Sequence, residues 1–433
     1  MKHVLFVSLM STLLLGGSAF CQLPTQAIVD RSYIDRILNT LASDEMKGRH
    51  ALTEDAGRAA DFIAKEFQEI GLIPYAENNY RQTFYMQQVR KKNSSIIWEG
   101  HVLEENSFLI LGDEAQTHWN SSSNIPVHTI TKKDDFASSF RTFAQSSENA
   151  IILVDPSFSS FIARFNKIYN RENIVSATGT SATKVFVIAD KVAKDFEIKN
   201  HNNIKPISLS NVAGVIPGKS KPNEYVIFSA HYDHIGIIKS EGTDSIANGA
   251  DDDASGTTAM ISLAKYYKNL NNNERTLIFV AFTAEEIGMF GSKYFSNNIN
   301  ADSVVAMINI EMIGKDAKFG PNSLYITGYD RSNLGSLMQQ NLAGSSFKFY
   351  PDPYPQQNLF YRSDNAVLAA LGVPAHTFST SQIDKDKFYH TVKDDVTTLD
   401  IDNIKASIEA IAIGATGIIN GSQTPSRVEK LKD

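Results

Sequence analysis

Three charge clusters set against apolar runs, all between Tyr225 and Phe295, constrain the fold more than any other feature of the chain. Tyr225 to Ala230 read as a short buried strand, and His231, Asp233 and His234 follow it directly. NGADDDASG then places Asp251, Asp252 and Asp253 between glycines, ahead of an apolar helix from Thr257 to Leu270. A second strand, Thr276 to Phe282, runs straight into Glu285 and Glu286. Open α/β sheets gather ligands beyond the carboxyl ends of their strands, so these clusters are expected to converge.

A convergent set of imidazole and carboxylate groups suits Zn²⁺, and several carboxylates can neutralise more than one cation. Any one of these acids taken alone reads equally well as a solvated loop residue or a helix cap. The set reads differently. Three consecutive aspartates repel one another unless solvent or a cation compensates, and Glu285 and Glu286 follow an apolar run where burial is expected. His231 is the first choice of ligand. Asp233, two residues on, faces the same side of an extended chain and suits the carboxylate that orients the imidazole. His234 reads as a neighbour or a solvent residue, and Asp251 and Asp253 as loop acids that cap the helix or steady the turn.

The segments SAHYDHIG, NGADDDASG, FTAEEIGMFGS, NIEMIG, FYRSDN and YHTVKDD resemble, in this order, the motifs of the M28 family of zinc peptidases. The likeness covers roughly Asn211 to Ala415 and extends more weakly to the region before Arg90. It implies an α/β fold with a mixed central sheet flanked by helices, of the zinc exopeptidase, phosphorylase/hydrolase-like kind, carrying a smaller β-rich inserted domain. It further implies two zinc ions, one held by His231, Asp252 and Glu311 and the other by Asp252, Glu286 and His390, with Asp252 as the bridge. Glu311 stands where most members have aspartate, which bears on the second ion. Glu285 takes the place of the general base that deprotonates a metal-bridging water. Tyr389 takes the place of a donor to the oxyanion, with a plain core aromatic as the competing reading. Arg362, Ser363 and Asp364 resemble a YRSD segment, in which Asp364 organises the loop and Arg362 pairs with it or meets a substrate carboxylate. Asn365 replaces a frequent histidine and is assigned no catalysis.

The implied activity is hydrolysis of peptide bonds near a free N-terminus, on peptide substrates. An acid-rich mouth attracts an ammonium, and no cluster of arginines marks the later motifs. Phe360, Phe378, Phe388 and Tyr389 lie near expected pocket loops and suggest apolar side chains. The alternatives are a carboxypeptidase or dipeptidase of the same fold, a single-zinc glutaminyl cyclase, and a non-enzymatic binding protein.

The 433 residues suffice for one large domain and a smaller one. A formal charge of −7 without a basic stripe argues against nucleic acid as a partner. Residues 1–21 have the polar start, apolar stretch and small residues of a signal peptide, so the protein is expected to be exported, periplasmic or secreted. Cys21, the single cysteine, excludes an intrachain disulfide and offers a lipid anchor, with an outer-membrane lipoprotein as the alternative location. Residues 28–90 read as a helical part of the catalytic domain, with the SDEMKGRH loop exposed and Arg49 in a surface ion pair. Residues 91–200 read as the inserted, protease-associated-like unit with one helix near Ser160 to Tyr169, placed to wall or gate the cleft. Residues 201–420 form the catalytic domain, and 421–433 a frayed tail.

Overall fold

Alternation along the central strands decides the layering. In Lys221–His231, Val226, Phe228 and Ala230 enter one core while Ile227 enters another. In Arg275–Phe282, Leu277, Phe279 and Ala281 join the first, and Ile278, Val280 and Phe282 the second. A strand with both faces buried needs helices on both sides. The first core is closed by Arg31–Leu41, Glu54–Ile70, Gly256–Leu270 and Ile401–Gly414, and the second by Phe290–Asn297 and Asn365–Ala370. Ile34, Ile37, Leu38 and Leu41 all lie on the buried face of the first helix, as their spacing predicts.

This computed structural model describes residues 29–76, 79–170, 172–177 and 181–431. The signal segment at 1–21 and Cys21 lie outside them. The fold is α/β with a mixed central sheet flanked by helices. Its strands run in the order Lys348–Pro351, Ser323–Ile326, Ala375–Ser379, Val304–Ile310, Lys221–His231, Arg275–Phe282, Phe196–Ile216 and Arg81–Trp98. Ala375–Ser379, Val304–Ile310, Lys221–His231 and Arg275–Phe282 are mutually parallel, so their carboxyl ends share one edge. From Lys221–His231 the chain passes first to Arg275–Phe282 on one side and then to Val304–Ile310 on the other. His231 therefore ends the strand at the switch point, where such sheets open a crevice.

Several expectations change. Ser94–Ile97 and Val212–Ile216 are the ends of much longer strands, Arg81–Trp98 and Phe196–Ile216, which pair as an antiparallel ribbon through both boundaries drawn around 91–200. Beyond the ribbon, Phe108–Leu111, Lys184–Ile188, Ala150–Val154 and Val127–Ile130 form a separate four-stranded sheet. It carries two helices, Phe136–Gln145 and Ser159–Tyr169, where one was expected. Phe136, Phe140 and Phe143, at i, i+4 and i+7, were the sequence signal of the first. The tail is docked rather than frayed. Val428 is buried, its N–H donates to Gly372 O, Leu431 N–H donates to Ala370 O, and Arg427 Nη1 donates to Val304 O at 2.7 Å.

Arg49 departs furthest from its expected place. It is fully buried, and its guanidinium donates to Leu41 O and Asn248 O at 2.6 Å, Tyr232 O at 2.7 Å and Gly249 O at 2.9 Å. The backbone must come very close for this. At Gly48 (φ +66°) an added Cβ would stand 2.3 Å from Ala247 O, so the approach requires glycine. Arg49 thereby ties the first helix to the chain just after His231 and to the loop that leads into Asp252. Arg49→Met, which leaves these carbonyls without their donors, is expected to destabilise the fold by about 3–5 kcal/mol, with Arg49→Lys recovering part. Urea unfolding measures this, and a loss below about 1 kcal/mol would show that water replaces the guanidinium.

Candidate metal centre

The four parallel strands bring the acids and histidines together at their carboxyl ends. His231 closes one strand, Glu285 and Glu286 follow the next, and Glu311 follows the third. Asp252 enters from the loop before the Gly256–Leu270 helix, and His390 from the loop after Ala375–Ser379. Two groups of potential ligands result. His231, Asp252 and Glu311 form one, and His234, Asp252, Glu286 and His390 the other, with the ligand atoms of each within 4.8 Å of one another. Asp252 belongs to both. Its Oδ1 lies 3.2 Å from His231 Nε2, and its Oδ2 lies 3.2 Å from His390 Nε2 and 3.7 Å from His234 Nδ1. All five residues expected as ligands are thus brought together. His234, expected as a neighbour or solvent residue, is instead fully buried with Nδ1 2.7 Å from Glu286 Oε1. Its signal was its place three residues after His231 at the end of a buried strand.

These atoms approach one another without pairing. His231 Nε2, His234 Nδ1, Glu286 Oε1, Glu311 Oε2 and His390 Nε2 are all buried without a hydrogen-bond partner among the described residues. His231 Nδ1 lies 3.1 Å from the Asp233 carbonyl, which can only accept, so Nδ1 is the donor and Nε2, facing Asp252, is the nitrogen left for a metal. Orphaned nitrogen and carboxylate lone pairs focused on two points, with one carboxylate shared, are a donor set that fits two Zn²⁺ ions. Non-glycine residues also take left-handed backbone at the ligand loops, with φ of 57° at Ala284, 51° at Met312 and 57° at His390. Such strain persists where the surroundings over-determine a geometry.

The remaining acids hold backbone. The Asp233 carboxylate accepts from Glu285 N at 3.1 Å and Glu286 N at 3.4 Å, so it positions the glutamates, while its carbonyl rather than its carboxylate orients His231. Asp253 accepts from Gly256 N, Met312 N and His231 N, and Asp251 from Gly314 N. Both steady the turn as expected, yet both are completely buried. Asp394, not singled out from the sequence, accepts from Asp251 N at 2.9 Å and Asp252 N at 3.0 Å and so sets the bridging residue. Lys315 Nζ, 2.6 Å from Asp386 and 3.3 Å from Asp251, ties the His390 loop to the aspartate loop.

Electrostatics without a cation are unfavourable. Burial pushes Glu285 and Glu311 above the usual carboxylate range, and neighbouring acids add to it. Burial likewise raises Asp364 and Asp251 to about 7. For His390 burial acts downward, but contacts with Asp252 and Glu286 outweigh it and raise the imidazole to about 10. Protons therefore take the place of metal when none is bound.

Beside the centre lies a cavity of about 310 Å³, lined by Asp252, Glu285 and Glu311 on one side and by Tyr325, Thr327, Gln357, Leu359, Arg362 and Ser379 among others. It takes no lining from 91–200. Tyr389 lines it, 46% exposed, with its ring stacked 3.8 Å from that of His390. Burial and the nearby carboxylates push its phenol upward, so it stays a donor. Phe360 and Phe378 are core residues and do not line the cavity, nor does Phe388, which removes most of the basis for an apolar preference. Asp364 makes no capping bond to the Asn365–Ala370 helix, whereas Asn365 ties its loop to Phe360 O and Ala375 O.

A model of peptidase family M28 matches residues 211–413. A probable zinc metalloprotease of Pyrenophora teres f. teres is 32% identical over 119 residues, which are 27% of this chain and 25% of that protein. The chain spans about a quarter of the length of the curated relatives it matches first. Among solved structures, an aminopeptidase from an Aneurinibacillus species is similar with a TM-score of 0.53 and 18% identity, over 93% of this chain and 96% of that one. A zinc aminopeptidase from Bacillus subtilis is similar with a TM-score of 0.54 and 15% identity, over 94% of this chain and 100% of that one. The fold is similar to that of these two solved structures.

The raised histidine gives the metal affinity a sign. With His390 near 10, the stripped protein carries a proton there throughout neutral pH, and that proton must leave before the nitrogen can ligate. Apparent zinc affinity is expected to rise about tenfold per pH unit between pH 6 and 8. Competition against a chelator at three pH values measures it; an affinity independent of pH would show that no proton is displaced.

Proposed function

We propose that this chain is a zinc-dependent aminopeptidase that releases single residues from peptides with a free N-terminus. The observation that carries the reading is Asp252, whose two oxygens face two different groups of orphaned ligand atoms, beside a cavity large enough for a side chain. His231, Asp252 and Glu311 would hold one zinc, and Asp252, Glu286 and His390 the other, with His234 at hand in the second group. When bound, the ions supply Lewis acidity, which acidifies a water and polarises the scissile carbonyl.

The chain's own residues do the rest. Glu285 belongs to neither ligand group but lines the cavity beside Asp252, and Asp233 holds its backbone N–H. It accepts the proton of the attacking water and returns it to the leaving amine. Tyr389 keeps its hydroxyl proton and donates to the oxyanion, a charge that exists only in the transition state. The acids of the metal wall attract the substrate ammonium, which favours the amino end of a peptide. The signal-like composition of residues 1–21 supports a location outside the cytoplasm, with Cys21 as a lipid attachment point in the alternative, membrane-anchored form.

A time course by mass spectrometry on matched peptides tests the reading. Free and C-amidated peptides are expected to be trimmed from the amino end and the N-acetylated peptide to survive; trimming of the acetylated peptide from its carboxyl end would replace the aminopeptidase with a carboxypeptidase. Glu285→Gln should keep its zinc and lose about 10²- to 10⁴-fold in kcat. Turnover near wild type in the zinc-loaded variant would remove Glu285 as the base.

A further inference from the structure

The cavity beside the metal centre is asymmetric in charge. Its metal side carries Asp252, Glu285 and Glu311, which the ions and the substrate ammonium would occupy. Arg362 is also among its lining residues. The nearby cations are already engaged. Lys315 is held between Asp386 and Asp251, and Arg331 lies over the rings of Phe360 and Tyr361 at 5.1 and 5.3 Å. Arg362 has no ion pair and no side-chain hydrogen bond among the described residues, and it does not pair with Asp364. Asp386, the other acid in the lining, is neutralised by Lys315 at 2.6 Å and does not compete for it.

The walls around Arg362 agree with a polar guest. Gln357, Thr327 and Ser381 line the same cavity, while Leu359 and Ile383 supply apolar surface for methylenes. Arg362 and Gln357 are exposed and their polar heads are solvated, so a leucine or phenylalanine side chain gains no contact from them. A short aliphatic stem ending in a carboxylate satisfies both kinds of surface, since guanidinium binds carboxylate in a fork of two charge-assisted hydrogen bonds.

We propose that Arg362 selects an acidic side chain, glutamate or aspartate, on the residue at the free amino end of the substrate, an inference that rests on the aminopeptidase reading. Ammonium and side-chain carboxylate then meet opposite charges within one cavity. Arg362 is a specificity residue and takes no part in the bond-breaking step.

The test uses the zinc-loaded, full-length protein and the peptides X-Ala-Phe and X-Ala-Phe-amide, with X as Glu, Gln or Leu. Glu and Gln are nearly isosteric, so their ratio of kcat/KM isolates the charge. Wild type is expected to favour Glu over Gln by about 10- to 100-fold, expressed in KM, on both the acid and the amide. Arg362→Met should bring that ratio close to one, and Arg362→Lys should restore part of it. A wild type that prefers Gln or Leu, or an Arg362→Met that slows all three equally, overturns the assignment and leaves the aminopeptidase standing. An effect confined to peptides with a free carboxyl end would show that Arg362 reads the terminal carboxylate, which also overturns it. If no peptide is cleaved, the peptidase reading fails and this one falls with it.

Discussion

Burying many carboxylates in one place is the constraint on which the rest of the structure depends. An ionised carboxylate taken out of water loses its hydration, and a neighbour of like charge makes matters worse. The crevice at the strand ends nonetheless holds Asp233, Asp251, Asp252, Asp253 and Asp364 with almost no exposure, and Glu285, Glu286 and Glu311 close by. Such a cluster is tolerable only if each acid has a compensating partner. The partners fall into two kinds, and the division separates scaffold from site.

Scaffold acids are compensated by backbone N–H groups and by fixed cations. Asp253, Asp251, Asp394 and Asp233 each accept from main-chain nitrogens of segments far apart in sequence, so they stitch the loops that bear the ligands. Lys315 and Arg49 supply the positive charge, the second entirely through carbonyls of the same loops. At Gly249 (φ +57°), an added Cβ would lie 2.5 Å from the His234 ring, so that glycine allows the aspartate loop to close over the second group of ligands. Site acids lack such partners. Glu286 and Glu311 have buried oxygens without backbone or fixed-cation partners, and Glu286 faces only the imidazoles of His234 and His390. This unmet demand is what a pair of cations satisfies, and it explains why the ligands can be rigid before metal arrives.

The parts of this arrangement that follow from chain direction were legible in the sequence. A buried strand that ends in His231, another that ends in Glu285 and Glu286, and a third that ends in Glu311 bring their charges to one edge through parallel pairing alone. Contacts across great sequence distance were not legible. SDEMKGRH has the composition of an exposed loop, and only the carbonyls of Tyr232, Asn248 and Gly249 bury Arg49 within it. His234, three residues past the end of the strand that closes in His231, has the local look of a loop residue, and the nearby Glu286, 52 positions on, accounts for its burial. Phe360 and Phe378 sit beside pocket loops in sequence, but their side chains turn into the cores. The tail reads as polar and frayed until Val304 and Gly372 offer it backbone partners.

Chemistry and selectivity therefore rest on different kinds of structure. The ligands and Glu285 stand at the ends of strands or on loops braced by buried hydrogen bonds, where a shift would uncover several charges at once. Arg362 and Gln357 stand on short 3-10 turns, Pro355–Gln357 and Leu359–Tyr361, in a stretch with few such ties. Substituting Arg362 changes the lining of the cavity and disturbs no other charge, since its guanidinium compensates nothing among the described residues. Because its guanidinium has no ion pair or hydrogen bond among the described residues, a substitution at Arg362 uncovers no buried charge at the metal centre.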